Sequence, residues 1–188
     1  DSAPVQKFRD LLKLYDGIDK KKLQENMKYW LEAIMPICDE YDINMCVHPD
    51  DPPYPVFGLP RIIGRAEDIQ WMLDAVPNKH NGLTFCAGSF SAGEHNDCVA
   101  MAKQFADRTH FVHLRSCYIF PNGNFTEASH LGGRGHLIEL CRIFEKAEQE
   151  GKCNSGRRLP MRVETMVFED YSEYSRFIEK ACCELEKI

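Results

Sequence analysis

Three short apolar runs, each carrying a metal-competent side chain at or near its end, constrain this chain more than anything else in it. Residues 43–48 read Ile-Asn-Met-Cys-Val-His and stop at Pro49. Residues 83–86 read Leu-Thr-Phe-Cys and stop at Ala87-Gly88-Ser89, and residues 111–114 read Phe-Val-His-Leu. Short apolar runs bounded by turn residues are strands. Helix-period segments separate them. Residues 4–16 place Phe8, Leu11, Leu12 and Tyr15 at helical steps, and Gly17 breaks the run. A longer helix is expected over residues 20–41, where Leu23, Met27, Trp30, Ile34, Ile37, Cys38 and Tyr41 form one apolar face. Further helices are expected over residues 66–76, up to Phe105 with Asn96 as cap, and over 136–150. A fourth strand is expected at 159–163 and a last helix at 171–187. Alternating strands and helices build an α/β fold on a parallel sheet.

In such a fold, functional groups gather at the C-terminal ends of the strands. His48, Cys86 and His113 stand there, one per βα unit, at intervals of 38 and 27 residues (48 to 86, 86 to 113). Imidazole and thiolate together suit a first-row divalent metal. Periodicity alone leaves the alternative open, that of a hydrogen-bonded histidine or a core cysteine. Asp50 and Asp51 follow His48 and are placed to accept an imidazole N–H. Arg115, two residues past His113, and Arg61 are candidates for a bidentate grip on a carboxylate. Glu127 and His130 lie in a loop of about twenty residues, a length that points to function. His80, His95, His110 and His136 are given no chemistry, and Tyr29, Trp30 and Trp71 are assigned to helix packing. The LGGRG stretch at 131–135 lacks the phosphate-loop pattern and reads as a loop tip.

Composition excludes other classes. The 188 residues carry a formal charge of −6 with no basic stripe, which argues against nucleic acid. No apolar run approaches the ~20 residues that span a bilayer. The nine cysteines are odd in number and scattered, with no CxxC pair and no signal-peptide pattern at the start. A reducing cytoplasm, with most cysteines buried as small hydrophobes, is expected. The length suits one domain but is short of the ~250 residues of a complete (β/α)₈ barrel. Five prolines within residues 48–61 exclude an ordinary helix or central strand there.

The segments CVHPDDPPYPVFGLPRI, TFCAGSF, FVHLRS and FTEASHLGG stand in the order and spacing of mannonate dehydratases. The opening FRDLLKLYDGIDKKKLQENMKYWLEAIMPI resembles the stretch that precedes them in that family. The resemblance covers residues 8–161. It implies a barrel of the xylose-isomerase-like kind. The expected fold is therefore α/β, a partial (β/α)₈ TIM barrel comprising the C-terminal half with parallel strands. It forms one domain over 1–188, family-like over 8–161 with a divergent tail over 162–188. The implied activity is a metal-dependent lyase that dehydrates D-mannonate to 2-keto-3-deoxygluconate in glucuronate catabolism, with Mn²⁺ or Fe²⁺ as cofactor. The resemblance assigns His48, Cys86 and His113 as metal ligands. In the family PMR is followed by PDHGH, whose Asp is the fourth ligand and whose first His is an acid/base. Here Pro160-Met161-Arg162 is followed by Val163-Glu164-Thr165, so Glu164 takes the ligand position and Thr165 the histidine position. Arg115, Arg61, Glu127 and His130 are the expected substrate contacts, and the catalytic residues are unassigned. The family also carries a half-barrel upstream, so a truncated or frameshifted product, or a diverged relative built on a partial barrel, is expected. A homo-oligomer in the cytoplasm is expected. The alternatives are a catalytically incomplete fragment or metal-binding subunit, and a related sugar isomerase or epimerase.

Overall fold

The computed structural model describes residues 3–163. Glu164, Thr165, the helix expected at 171–187, and Cys182 and Cys183 lie outside them. The elements run α1 (Ala3–Lys13), α2 (Lys20–Tyr41), β1 (Met45–Val47), α3 (Ala66–Ala75), β2 (Asn81–Cys86), α4 (Ala87–Ser91) and α5 (Cys98–Phe105). They continue with β3 (Thr109–Leu114), β4 (Ser116–Ile119), β5 (Phe125–Ala128), α6 (Leu137–Gln149) and β6 (Met161–Val163). Four strands form a parallel sheet in the order β1-β2-β3-β6, with helical segments in each crossover. This is the expected α/β class, an open parallel sheet as in a partial (β/α)₈ barrel.

Local chemistry explains the boundaries. Asp19 caps α2, its side chain accepting from the Lys22 N–H at 2.8 Å. Asp42 ends α2 in the left-handed region at φ 53, donating its N–H to the Cys38 carbonyl. The cap of α5 is Asp97, which accepts from Val99 and Ala100, and not the expected Asn96. Asn96 is buried instead and donates to the carbonyls of Gly64 and Phe90, tying the β1–α3 loop to α4.

The core lies between the helices and one face of the sheet. Strand β2 is buried along its whole length, as a central parallel strand must be. Phe85 lies against Phe90 and Phe144, with both pairs of ring centroids 5.2 Å apart. Helix α2 presents Leu31, Met35 and Cys38 inward. Three members of the expected apolar face, Trp30, Ile37 and Tyr41, are instead exposed, as is Tyr29. The helix carries two apolar stripes, and periodicity does not say which one the sheet will take. Trp71 does pack against the core. Among the described residues the cysteines form no disulfide, and all but Cys46 are buried.

The long loop expected after β3 is largely ordered as a hairpin. Strands β4 and β5 pair antiparallel from Ser116↔Ala128 to Ile119↔Phe125. Pro121-Asn122-Gly123-Asn124 turns between them, with Gly123 at φ 82. An Asn-Gly pair between two short alternating runs is a hairpin signal that the sequence carried.

Candidate metal centre

Register builds the site. Parallel pairing sets Cys86 beside His113 on neighbouring strands, at the C-terminal end of each. On the other side Val47 pairs with Leu83, so His48 emerges from β1 at the same end of the sheet. One ligand atom from each of His48, Cys86 and His113 lies within 4.8 Å of the others. The two imidazoles are tilted at 60° with centroids 6.1 Å apart. Among the described residues this is the one cluster of three or more such groups.

The sulfur is electrostatically prepared. Burial by itself would raise the Cys86 thiol. Hydrogen bonds from His113, His48 and Ser89 outweigh it and hold the thiol down at about 5. The His113 Nδ1 lies 3.5 Å from the sulfur and the Ser89 hydroxyl 3.2 Å from it. His48 is correspondingly raised, chiefly by its hydrogen bond to Cys86. By contrast, burial pushes Cys98 and Cys117 up to about 12, which keeps both as neutral thiols.

The surrounding groups are arranged differently from the sequence expectation. Asp50 and Asp51 are hydrogen-bonded to groups other than imidazoles. The His48 Nδ1 lies 2.8 Å from the Pro49 carbonyl, which leaves Nε2 for a ligand. Asp50 accepts instead from the Ile62 and Ile63 N–H groups at 2.8 Å each, folding the proline-rich loop back on itself. Arg61 stays near that carboxylate, 3.8 Å from Asp50 Oδ1. Asp51 is bridged to Arg115, whose other terminal nitrogen is bridged to Glu127. The guanidinium thus links the β1–α3 loop to the hairpin. Burial raises the Glu127 carboxyl, although Arg115 opposes this. His130 is buried.

Two neighbours of the sulfur were not singled out as site residues from the sequence. Ser89 is fully buried one helical step beyond Cys86, with its hydroxyl 3.2 Å from Cys86 Sγ, from Asp51 Oδ2 and from Arg115 Nη2. Gly88 gives the guanidinium its seat. A Cβ there would stand 2.2 Å from Arg115 Nε and 2.8 Å from Cζ, closer than atoms can approach. The signal for Ser89 was its i, i+3 spacing from Cys86 at a strand-to-helix turn. The other histidines stay out of the site. The His80 Nδ1 is 2.7 Å from Asn44 Oδ1. Burial, with Arg108 adding to it, lowers His110 to about 4. His95 lies 3.3 Å from the Gly64 carbonyl, and His136 precedes α6 as its N-terminal cap residue.

A family model described as D-mannonate dehydratase (UxuA) matches residues 1–179. A mannonate dehydratase from Chromohalobacter salexigens is 38% identical over 159 residues, 84% of this chain and 41% of the relative. One from Marinomonas sp. is 41% identical over 164 residues, 86% of this chain and 42% of the relative. The crystal structure of mannonate dehydratase from Streptococcus suis serotype2 superposes with a TM-score of 0.82 at 24% identity, covering 100% of this chain and 56% of that one. This last likeness establishes the fold. The chain spans about two fifths of the length of the curated relatives it matches.

Proposed function

The chain belongs to the D-mannonate dehydratase family, and on that premise we propose that it carries the metal-binding mouth of a lyase that dehydrates D-mannonate to 2-keto-3-deoxygluconate. The observation that carries this is the convergence of His48, Cys86 and His113 within 4.8 Å around a thiol held at about 5. Two imidazoles and a thiolate are a fitting donor set for Mn²⁺ or Fe²⁺. Glu164, next after β6, is the proposed fourth ligand.

The chemistry asks for three things. The C2 hydrogen of the substrate leaves as a proton, the C3 hydroxyl leaves as water, and negative charge gathers on the carboxylate meanwhile. His48, Cys86 and His113 would hold the divalent ion, which when bound would supply Lewis acidity for that charge. Arg115 adds a fixed positive charge beside the same mouth, assisted by Arg61. Of the two acids that hold Arg115, the Asp51 side chain is 36% exposed and the Glu127 side chain 14%. Asp51 is therefore the partner that an incoming carboxylate displaces, while Glu127 and the buried His130 keep the hairpin side of the mouth in place. No helix among the described residues is long and apolar enough to cross a membrane. A homo-oligomer accords with the exposed Trp30, Ile37 and Tyr41 on α2, and a cytoplasmic setting with the chain's place in a family of sugar-acid enzymes.

The purified chain, incubated without oxygen with Mn²⁺ or Fe²⁺, is expected to form 2-keto-3-deoxygluconate from D-mannonate and to leave aldoses unchanged. Interconversion of an aldose and a ketose would support an isomerase or epimerase. A folded, metal-loaded chain that turns over neither would be a metal-binding subunit of such an enzyme.

A further inference from the structure

The Ser89 hydroxyl meets three groups at the metal mouth. Arg115 has only donors, so its Nη2, 3.2 Å from Ser89 Oγ, occupies a lone pair of that hydroxyl. The single hydroxyl proton of Ser89 then has two acceptors at equal distance, Asp51 Oδ2 and Cys86 Sγ, both at 3.2 Å. Asp51 Oδ2 already receives Arg115 Nη2. Arg115 lies farther from the sulfur, at 3.8 Å, and the His48 and His113 nitrogens that face the sulfur are the ones an ion would take. With an ion held there, the sulfur is the acceptor with less supply. The proton of Ser89 therefore goes to Cys86. The arrangement is built, since Ser89 is fully buried and Gly88 keeps clear the space in which the guanidinium lies.

We infer that Ser89 is a positioning residue that sets which metal the site prefers. A hydrogen bond to a thiolate withdraws electron density from sulfur and makes it a harder, weaker donor. Sulfur-loving ions such as Zn²⁺ lose more from this than harder ions such as Mn²⁺. Ser89 thus tilts a site with one thiolate towards Mn²⁺ or Fe²⁺ and away from Zn²⁺. The same bond fixes the direction of the sulfur, leaving its remaining lone pairs facing the two imidazoles. This rests on the proposal that His48, Cys86 and His113 hold a divalent ion.

The test is competitive binding of Mn²⁺ and Zn²⁺ to the full chain and to Ser89→Ala, with Ser89→Gly as a second cavity-forming variant. Circular dichroism checks folding. The Zn²⁺-over-Mn²⁺ affinity ratio is expected to rise about tenfold in both variants, at the low end of the ~10–100-fold range of outer-sphere effects. Ser89→Thr, which keeps the hydroxyl, is expected to restore the wild-type ratio. With Co²⁺ in the site, loss of the hydroxyl is expected to move the sulfur-to-cobalt absorption to lower energy. Equal weakening of both ions, with the ratio and the absorption unmoved, would reduce Ser89 to a packing role and overturn the inference while leaving the metal centre intact. A wild-type chain that binds neither ion would overturn the metal centre and this inference with it.

Discussion

Cys86→Ser is expected to weaken divalent-metal retention on the order of 1,000-fold, beyond the ~10–100-fold typical of outer-sphere losses. The sulfur is the one anionic ligand among the described three, and it sits at the centre of their geometry: His113 and Ser89 both point at it. A serine hydroxyl has no comparable acidity and would remain neutral at physiological pH. The imidazoles would then hold the ion without a compensating charge, beside the fixed guanidinium of Arg115. Competition against a metal-sensitive chelator reads the affinity directly. An unchanged affinity in a folded Cys86→Ser chain would remove the sulfur from the ligand set and leave the strand-end convergence without its main chemical consequence.

The second large effect is on protonation. In the metal-free chain, the thiolate absorbance that is lost in Cys86→Ser is expected to titrate near pH 5, against 9.0 for an ordinary thiol. The shift lies below the unfolded value, so its contribution to stability is full above pH 9, shrinks as pH falls, and is gone below about 5. His48 is raised above 6.5, so its contribution is full below that pH and is lost as pH rises through its folded value. The two signs describe one thiolate–imidazolium pairing. Its loss on acidification is expected to lower the urea midpoint of the wild type between pH 7 and 4.5 more than that of Cys86→Ser. Cys98 and Cys117, held near 12 by burial, do not interfere in this range. A difference absorbance that rises only near pH 9 would mean that the imidazoles and Ser89 do not hold the charge. The practical consequence is that an incoming metal near neutral pH meets a ready thiolate.

The parts of this site legible in the sequence are those fixed by the chain's own local chemistry. Apolar runs that stop at turn residues mark strand ends, so His48, Cys86 and His113 could be placed there as candidates one strand at a time. Periodicity left a hydrogen-bonded histidine or a core cysteine open, and the family resemblance assigned the three as ligands. Arg115 shares a strand face with His113 by the two-residue period, and it does reach the site. What could not be read depends on partners brought by other elements. Asp50 and Asp51 follow His48 directly, yet folding of the proline-rich loop gives one to backbone amides and the other to Arg115. Adjacency in sequence carries no information about that loop's path. Helix α2 could have buried either of its apolar stripes, and the sheet decided. Ser89 is different, because its i, i+3 step from Cys86 was visible. Its importance rests on a hydrogen-bond count that needs Arg115 and Asp51 in place. The hairpin of β4 and β5 was also within reach, through Asn122-Gly123.

Titration of the metal-free chain with Co²⁺ under argon, followed by absorption, tests the metal centre most directly. Saturation is expected at one equivalent, with a near-ultraviolet sulfur-to-cobalt band that Cys86→Ser abolishes and that loss of either His48 or His113 weakens. Stoichiometric binding without that band, or no saturable binding by a folded chain, would contradict it.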